Sequence, residues 1–583
     1  MKQPSTLSRL IRYVGKYKAL MAVTLLTALV GNAALLLAPK LVGRAIDLIV
    51  PGGSYGAELL RLLAVIGGLF LSGALFNWVT SLCANVVANR TVRDLRTALF
   101  DKLGRLPLKT FDTHSRGDML SRFTNDIDAI SDGLNQGIVQ LVSGIITVVL
   151  SLAFMLTLNP GVTLVVVLVT PLCFFAGFFI TKYGSRRFRE QTRSLGRLNG
   201  YAEEMISGQR TVTAFGYEPR SIKRFHEINR ELYECGYRAQ FASALVNPST
   251  RFVNNIAYVL VGVCGILAVL RGALTTGGVA SFLTYTAQFS KPFNEITSIT
   301  MQLQLAMASA KRVFAVMDEA EQTPDAPDAR VLTGIDGTVR FDDVSFAYVP
   351  ERPLIQHFSL SAPPGATVAI VGPTGAGKTT LVNLLMRFYE VDSGRILVDG
   401  SPIDTVTRDS LRRSFGMVLQ ETWLFAGTVR DNIAYGRPDA TDEEVEAAAR
   451  AAHAHSFIRR MPDGYCSVIS EDGGNLSQGQ KQLLTIARAM LMNPPMLILD
   501  EATSSVDILT ELRIQKALRT MMAGRTSFII AHRLSTIRDA DLILVLDKGN
   551  VVEQGTHEDL LARKGFYYTL YNSQFAPAEP ENG

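Results

Sequence analysis

Residues 372–380, Gly-Pro-Thr-Gly-Ala-Gly-Lys-Thr-Thr, place glycines, a lysine and hydroxyls between two apolar runs, 367–371 and 381–386. The first run reads as a buried strand and the second as a helix. That is the setting the G-x-x-x-x-G-K-[ST] motif requires. Chemically the stretch is a polyphosphate cradle. Gly372, Gly375 and Gly377, with Pro373, Thr374 and Ala376 between them, let backbone N–H groups curl around phosphate oxygens. The helix N-terminus adds its partial positive charge. Lys378 is placed to reach the outer phosphates, and the Thr379 hydroxyl to hold Mg²⁺, with Thr380 closing the loop. The expected ligands are therefore the phosphates of a nucleotide and Mg²⁺. A glycine-rich turn that matches by accident would lack the strand before it and the helix after it.

Further residues suit the same chemistry. The apolar run 496–499 ends in Asp500-Glu501. Asp500 is placed to hold Mg²⁺ through water, and Glu501 to polarise an attacking water. Gln420 ends the run 416–419 and offers an amide oxygen to the metal or to that water; otherwise it is an ordinary strand-end glutamine. His532 ends the run 527–531 and stands where it would meet the γ-phosphate, although a lone histidine is more often a core residue. Tyr348 follows 339–346, which alternates as an edge strand. It suits stacking on adenine, or plain packing. Asn475-Leu476-Ser477-Gln478-Gly479-Gln480 precedes a helix over 481–492. Ser477, Gly479, Gln480 and a helix N-terminus make a second anion site. One nucleotide needs only one cradle, so this second site is expected to close over the nucleotide of another subunit.

These residues occupy the second half of 583 residues, a length that calls for more than one domain. Hydrophobic residues make up 48 % of the chain and crowd the first half, in long uncharged runs suited to lipid. Hydropathy places six spans near 18–40, 61–88, 137–158, 160–182, 241–270 and 277–307. The first pair is joined by a short loop around Pro51-Gly52-Gly53, the third and fourth by Asn159-Pro160-Gly161, and the last pair by a turn over 271–278. The two long connections, 90–136 and 182–240, carry Arg90, Arg93, Arg96, Arg186, Arg187 and Arg189, so both are expected on the cytoplasmic side. Their helical periodicity extends the spans well beyond the membrane, and 106–112 and 214–219 interrupt it. These breaks are where short transverse helices would meet another domain. Near the N-terminus, Leu7, Leu10, Ile11 and Val14 among Arg9, Arg12, Lys16 and Lys18 read as a helix lying in the membrane surface. No cleavable signal is expected.

Within the spans, Asn32, Asn77, Gln140 and Asn294 would line a wet cavity or bond helix to helix. Arg251 and Glu295 must face water, a partner or, by snorkelling, a membrane surface. The net charge of +5 fits basic loops facing anionic lipid, and no tract interleaves basic and aromatic residues as a nucleic-acid surface would. Cys83, Cys173, Cys235, Cys264 and Cys466 show neither disulfide nor zinc spacing. Residues 318–328, with two prolines and many acids, read as a linker. The expected organisation is an all-α six-helix transmembrane domain with long intracellular helices (1–320), a linker (321–336) and an α/β nucleotide-binding domain built on the phosphate loop (337–583).

Taken in order, the phosphate loop, Gln420, Leu476-Ser477-Gln478-Gly479-Gln480, Asp500-Glu501, Ser504-Ser505-Val506-Asp507 and His532 resemble the ATP-binding cassette family, and the first half resembles the membrane domain of its exporter class. Residues 111–118 resemble that class's first intracellular loop, and Glu471 falls where its members carry an acid ahead of the signature. The resemblance implies a multi-pass half-transporter of the cell inner or plasma membrane, with the N-terminus and the nucleotide-binding domain in the cytoplasm. It implies ATP hydrolysis driving efflux of a hydrophobic or amphipathic drug, lipid or peptide. It also implies a dimer with two ATP sites at the cassette interface, where Asp507 joins the nucleotide-binding residues. Gln478 stands where the signature commonly has Gly, a form seen in the catalytically intact half of heterodimeric bacterial exporters. A second, different half-transporter is therefore the favoured partner, with a homodimer open. An importer on the exporter fold and an ATP-gated regulatory cassette with little turnover are the alternatives; the presence of Glu501 and His532 argues against the latter.

Overall fold

The computed structural model describes residues 5–49, 56–420, 422–470, 473–500, 507–530 and 537–575. The side chains of 171–185 and of scattered positions between 243 and 301, Asn294 among them, lie outside the description. So do the loop at Pro51-Gly52-Gly53, Glu471, Glu501, Ser504 to Val506, and His532. The described chain divides into two units, one over 1–106 and 114–320, the other over 107–113 and 321–583.

The first unit is helical. Its elements are α1 (Thr6–Val14), α2 (Lys18–Leu48), α3 (Gly56–Leu103), then, beyond α4 (Leu108–Thr113) of the other unit, α5 (Arg116–Ser121), α6 (Ile127–Leu158), α7 (Pro160–Ser207), α8 (Gln209–Ala214), α9 (Glu218–Ala244), α10 (Val246–Leu270) and α11 (Thr276–Met317). Among the described residues, Thr6–Leu48, Gly56–Leu103 and Arg116–Leu158 are long and apolar enough to cross a membrane. Pro160–Thr170 and Asn254–Leu270 are shorter apolar helices. Large apolar side chains point outward along these helices, Leu71 being 76 % exposed, as a lipid-facing surface requires. Local chemistry sets the boundaries. Asn159 caps α7 by accepting from the N–H groups of Gly161 and Val162, with Pro160 in the first helical position, where its missing N–H costs nothing.

Lipid tails are as apolar as leucine, so helices in a bilayer associate through close packing and hydrogen bonds. The α2–α11 seam shows both. A methyl group on Gly277 would lie 1.8 Å from the Gly43 carbonyl oxygen, so the two backbones meet directly. Around Pro39, which disturbs the helical ladder of α2, Tyr285 donates to Leu36 O at 2.7 Å and Ser281 to Pro39 O at 2.8 Å. Asn32 also bonds helix to helix: it donates to Ala28 O and accepts from Thr147 on α6. One expectation changes here. Leu10 of α1 is buried among Leu95, Leu99, Val313 and Phe314, and Arg9 pairs with Asp318 at 2.5 Å, so one face of this helix packs on protein, while Leu7 and Ile11 stay exposed. Glu295 lies 3.7 Å from Lys291, one turn back on the same helix, and Arg251 is exposed.

The described residues of the second unit form three sheets. An antiparallel one runs in the order β2 (Ile355–Ala362), β1 (Val339–Phe346), β4 (Ser393–Val398), β5 (Ser401–Pro402). The 339–346 segment is thus an interior strand, not an edge. Its alternation reports one buried face, which edge and interior strands of an antiparallel sheet share. The main sheet runs β12 (Asn550–Gly555), β11 (Leu542–Asp547), β3 (Thr367–Val371), β10 (Thr526–Ile530), β9 (Met496–Asp500), β6 (Phe415–Val418), all parallel except β12. A two-stranded ribbon, β7 (Gly427–Thr428) with β8 (Val468–Ile469), completes the set. Side chains of the main sheet alternate between two cores. Val368, Ile370, Ile498 and Phe528 face one side, and Ala369, Val371, Leu497 and Ile529 the other. The linker is tied down by charge: Asp325 accepts from Arg408 Nη1 at 2.6 Å and lies 3.6 Å from Arg387, and Glu390 pairs with both of these buried arginines.

Candidate nucleotide site

Parallel pairing brings the site together. Ile530 of β10 pairs with Ile370 of β3 on one side and with Asp500 of β9 on the other. The carboxyl ends of these three strands therefore lie side by side, the usual place for a ligand in an open α/β sheet. The phosphate loop leaves β3 there, and β9 ends there in Asp500.

The loop's backbone needs its glycines. A methyl group on Gly372 would sit 2.3 Å from Leu546 O, and Gly377 caps helix α12 (Lys378–Leu385) at φ 97°, a left-handed conformation that other side chains resist. Thr374 and Gly375 are exposed at the loop's tip, and Ala376 is buried beneath it. Lys378 is only 9 % exposed; its ammonium donates to Gly372 O at 2.7 Å and Pro373 O at 3.1 Å. Burial pulls its pKa below the ordinary lysine value, and the Asp500 carboxylate acts against that shift. The loop thus holds a desolvated cation beside the N-terminus of α12, which is what a polyphosphate calls for.

Thr379 and Gln420 are exposed, the glutamine two residues beyond the end of β6. Their hydroxyl and amide oxygens and the Asp500 carboxylate are candidate metal donors. Hard oxygen donors of that kind suit Mg²⁺, which keeps waters and substrate oxygens in its shell and needs no dense protein cage. No cluster of three or more His, Cys, Asp or Glu side chains that could hold a metal occurs among the described residues. Tyr348 is half-buried. Its hydroxyl lies 3.2 Å from Thr380 Oγ1, and its ring meets Phe346 and Tyr389 edge to face, both with centroids 4.9 Å away.

Helix α17 begins at Gln478, earlier than expected, and runs Gln478–Met492. Ser477 caps it: its Oγ accepts from Gln480 N, and the Gln480 side chain accepts from Ser477 N. Gly479 is buried, and Gln478 donates to Thr422 at 3.3 Å. Leu483, Leu484, Ile486 and Ala487 of α17 pack into one core of the main sheet, whereas Leu381, Val382 and Leu385 of α12 pack into the other. The helices that open at the two candidate anion sites therefore sit on opposite faces of one sheet. Asp507 caps α18 (Ile508–Met522), accepting from Thr510 N at 3.0 Å, and this bond holds its carboxyl below the usual range. The sequence did not single out Lys291, Thr422 or Tyr389. Only Lys291 carried a local signal, its spacing of four from Glu295.

Residues 21–293 match the ABC transporter transmembrane region and residues 355–504 the ABC transporter domain. The chain belongs to the ABC transporter family: it is a multi-pass membrane protein that binds ATP, an ATPase whose turnover drives transport, and its fold is that of the exporters. It is 50 % identical over 523 residues to a fatty acid ABC transporter ATP-binding/permease protein of Mycobacterium tuberculosis, covering 90 % of this chain and 83 % of that one, and equally to its Mycobacterium bovis counterpart. An ATP-dependent lipid A-core flippase of Syntrophus aciditrophicus is 38 % identical over 502 residues, covering 86 % of this chain and 83 % of that one. Among solved structures, a bacterial Atm1-family ABC exporter with ATP bound matches at a TM-score of 0.79 and 31 % identity, over 96 % of this chain and 99 % of that one.

Proposed function

We propose that the chain is half of a dimeric exporter that moves a long-chain amphipathic acid or lipid out of the cytoplasmic leaflet, with each ATP held between two chains. The observation that carries the two-chain site is the placement of α12 and α17 on opposite faces of the main sheet. Lys378, the loop N–H groups and Tyr348 of one chain hold a nucleotide; Ser477, Gly479 and Gln480 of the other cover it, beside Asp507. Thr379, Gln420 and Asp500 hold Mg²⁺, which when bound offsets charge on the phosphate oxygens. Glu501 takes the proton of the attacking water, with Gln420 and His532 orienting water and γ-phosphate.

The cargo class is supported by relatives named for fatty acid and lipid A-core transport and by the exposed cation Arg251, which suits an acidic head group. The arginine-rich connections support a cytoplasmic N-terminus and cassette in a cell inner or plasma membrane, with six spans in all. Domain limits at 1–320, 321–336 and 337–583 fit this organisation. The partner is a second half-transporter. Gln478 in the signature favours one of different sequence, in which the counterpart of Glu501 would be missing.

Complementation tests the shared site. Where the chain pairs with a copy of itself, a chain carrying Lys378→Ala, mixed with one carrying Ser477→Arg, assembles one intact site and recovers ATPase activity that neither variant shows alone. No recovery from a properly assembled mixture contradicts the proposal. The mass of the chain purified alone in detergent decides the partner: a stable, substrate-stimulated dimer of identical chains rules out the heterodimer.

A further inference from the structure

The short helix α4 belongs to the same unit as the cassette although its neighbours in sequence belong to the other. One side chain reaches the cassette through a charge-assisted bond: Tyr389 donates its phenol to the Asp112 carboxylate. Burial and that carboxylate together push the phenol's pKa up, as expected of a proton shared with an anion. Tyr389 does not stand alone. Its ring is edge-on to Tyr348 at 4.9 Å and 89°, and Phe346 closes the triad, 5.6 Å from Tyr389. Tyr348 is in turn fixed from the other side, its hydroxyl lying 3.2 Å from Thr380 Oγ1 and 3.4 Å from Asn383 Nδ2, both on the helix that opens at the phosphate loop.

We infer that Tyr389 is a positioning residue that makes the seating of α4 and the placement of Tyr348 beside the nucleotide a single arrangement. Three rings packed edge to face have few alternative arrangements, because each edge must find a face. Tyr348 cannot turn to present its ring to a base without Tyr389 following, and Tyr389 cannot follow without carrying or breaking its bond to Asp112. Base stacking on Tyr348 and docking of α4 then report on one equilibrium, which either event biases. This rests on the reading of Tyr348 and residues 372–380 as the nucleotide site.

Amide hydrogen exchange on the full chain in lipid nanodiscs, with and without Mg²⁺ and a non-hydrolysable ATP analogue, tests the inference. In the unaltered protein the analogue slows exchange at both 372–380 and 107–113, each by about threefold or more. Tyr389→Phe keeps the ring and removes the phenol. It retains protection at 372–380, loses it at 107–113, and loses stimulation of ATPase by cargo while basal turnover stays. Asp112→Ala does the same, the double variant adds nothing further, and Asp112→Asn, which keeps an oxygen for the phenol, restores protection. Protection at 372–380 with unchanged protection at 107–113 in Tyr389→Phe, or with none there in the unaltered protein, overturns the inference alone. Absence of protection at 372–380 in the unaltered protein overturns the nucleotide-site reading, and the inference with it.

Discussion

Replacing Lys378 by alanine removes the one buried cation of the phosphate loop, and its effect follows from what that ammonium touches. It now holds two carbonyl oxygens, at 2.7 and 3.1 Å. Facing a phosphate it exchanges them for charge-assisted bonds, each worth about 1.5–3 kcal/mol, and for an attraction of about 4 kcal/mol at 4 Å and an effective dielectric of 20. Against this stand the two carbonyl bonds given up, about 1 kcal/mol each, and the phosphate's lost hydration. A net of about 2–3 kcal/mol corresponds to a Kd for ATP raised about 30- to 150-fold. The fold tolerates the change, because Gly372 and Pro373 are only half-buried and water reaches them. Titration with a fluorescent ATP analogue, alongside a thermal melt, reads both quantities. A Kd within about threefold of the unaltered protein, with an unchanged melt, refutes the role assigned to Lys378. The same cation gives a pH signature. Burial lowers its pKa, so its proton leaves below the ordinary value of 10.5, and binding weakens as pH rises through the lowered pKa, earlier than an exposed lysine would allow.

Three further outcomes follow from particular contacts. Glu501→Gln keeps shape but cannot take a proton, so steady hydrolysis falls by about 10²-fold or more while ATP binding persists; near-normal turnover would remove Glu501 from the mechanism. Asp325→Ala leaves the buried Arg387 and Arg408 with Glu390 as their remaining carboxylate partner. We expect a loss of about 2–3 kcal/mol and a cassette melting about 5–10 °C lower, with nucleotide affinity unchanged; an unaltered melt contradicts the tie. His557 bonds Tyr567 at 2.8 Å, and burial, with Arg538 adding to it, depresses its pKa. Its contribution is complete above pH 6.5 and is lost as pH falls through the depressed value, so His557→Gln flattens the fall in melting temperature between about pH 8 and 5. An identical pH profile in the variant rules this out.

The phosphate loop was legible because strand, glycines, lysine and helix are one local code, and β3 and α12 lie where that code puts them. The place of Asp500 at the end of a strand was legible for a related reason, since four buried apolar residues that run into two acids mark where the strand meets solvent. What escaped depends on distant pairing. The 339–346 strand alternates alike at an edge or inside a sheet, and only β4, beginning at Ser393, covers its second side. The bond between Tyr389 and Asp112 joins residues 277 apart, beyond any periodicity. Leu10 shows the limit of amphipathic patterns: the helix has an apolar face, but whether lipid or protein covers each part of it is settled by α3 and α11. The opposite facing of α12 and α17 was expected only indirectly, as a second cradle with no second nucleotide.

The central claim is that ATP turnover at a site shared by two chains drives an amphipathic acid across the membrane. Proteoliposomes with the cassettes outward, given a fluorescent long-chain fatty acid and Mg²⁺-ATP, test it most directly. We expect ATP-dependent accumulation of the acid inside, absent with Glu501→Gln and with the non-hydrolysable analogue. Accumulation that is equal with and without ATP, or ATP-driven loss of pre-loaded acid from the lumen, would contradict it.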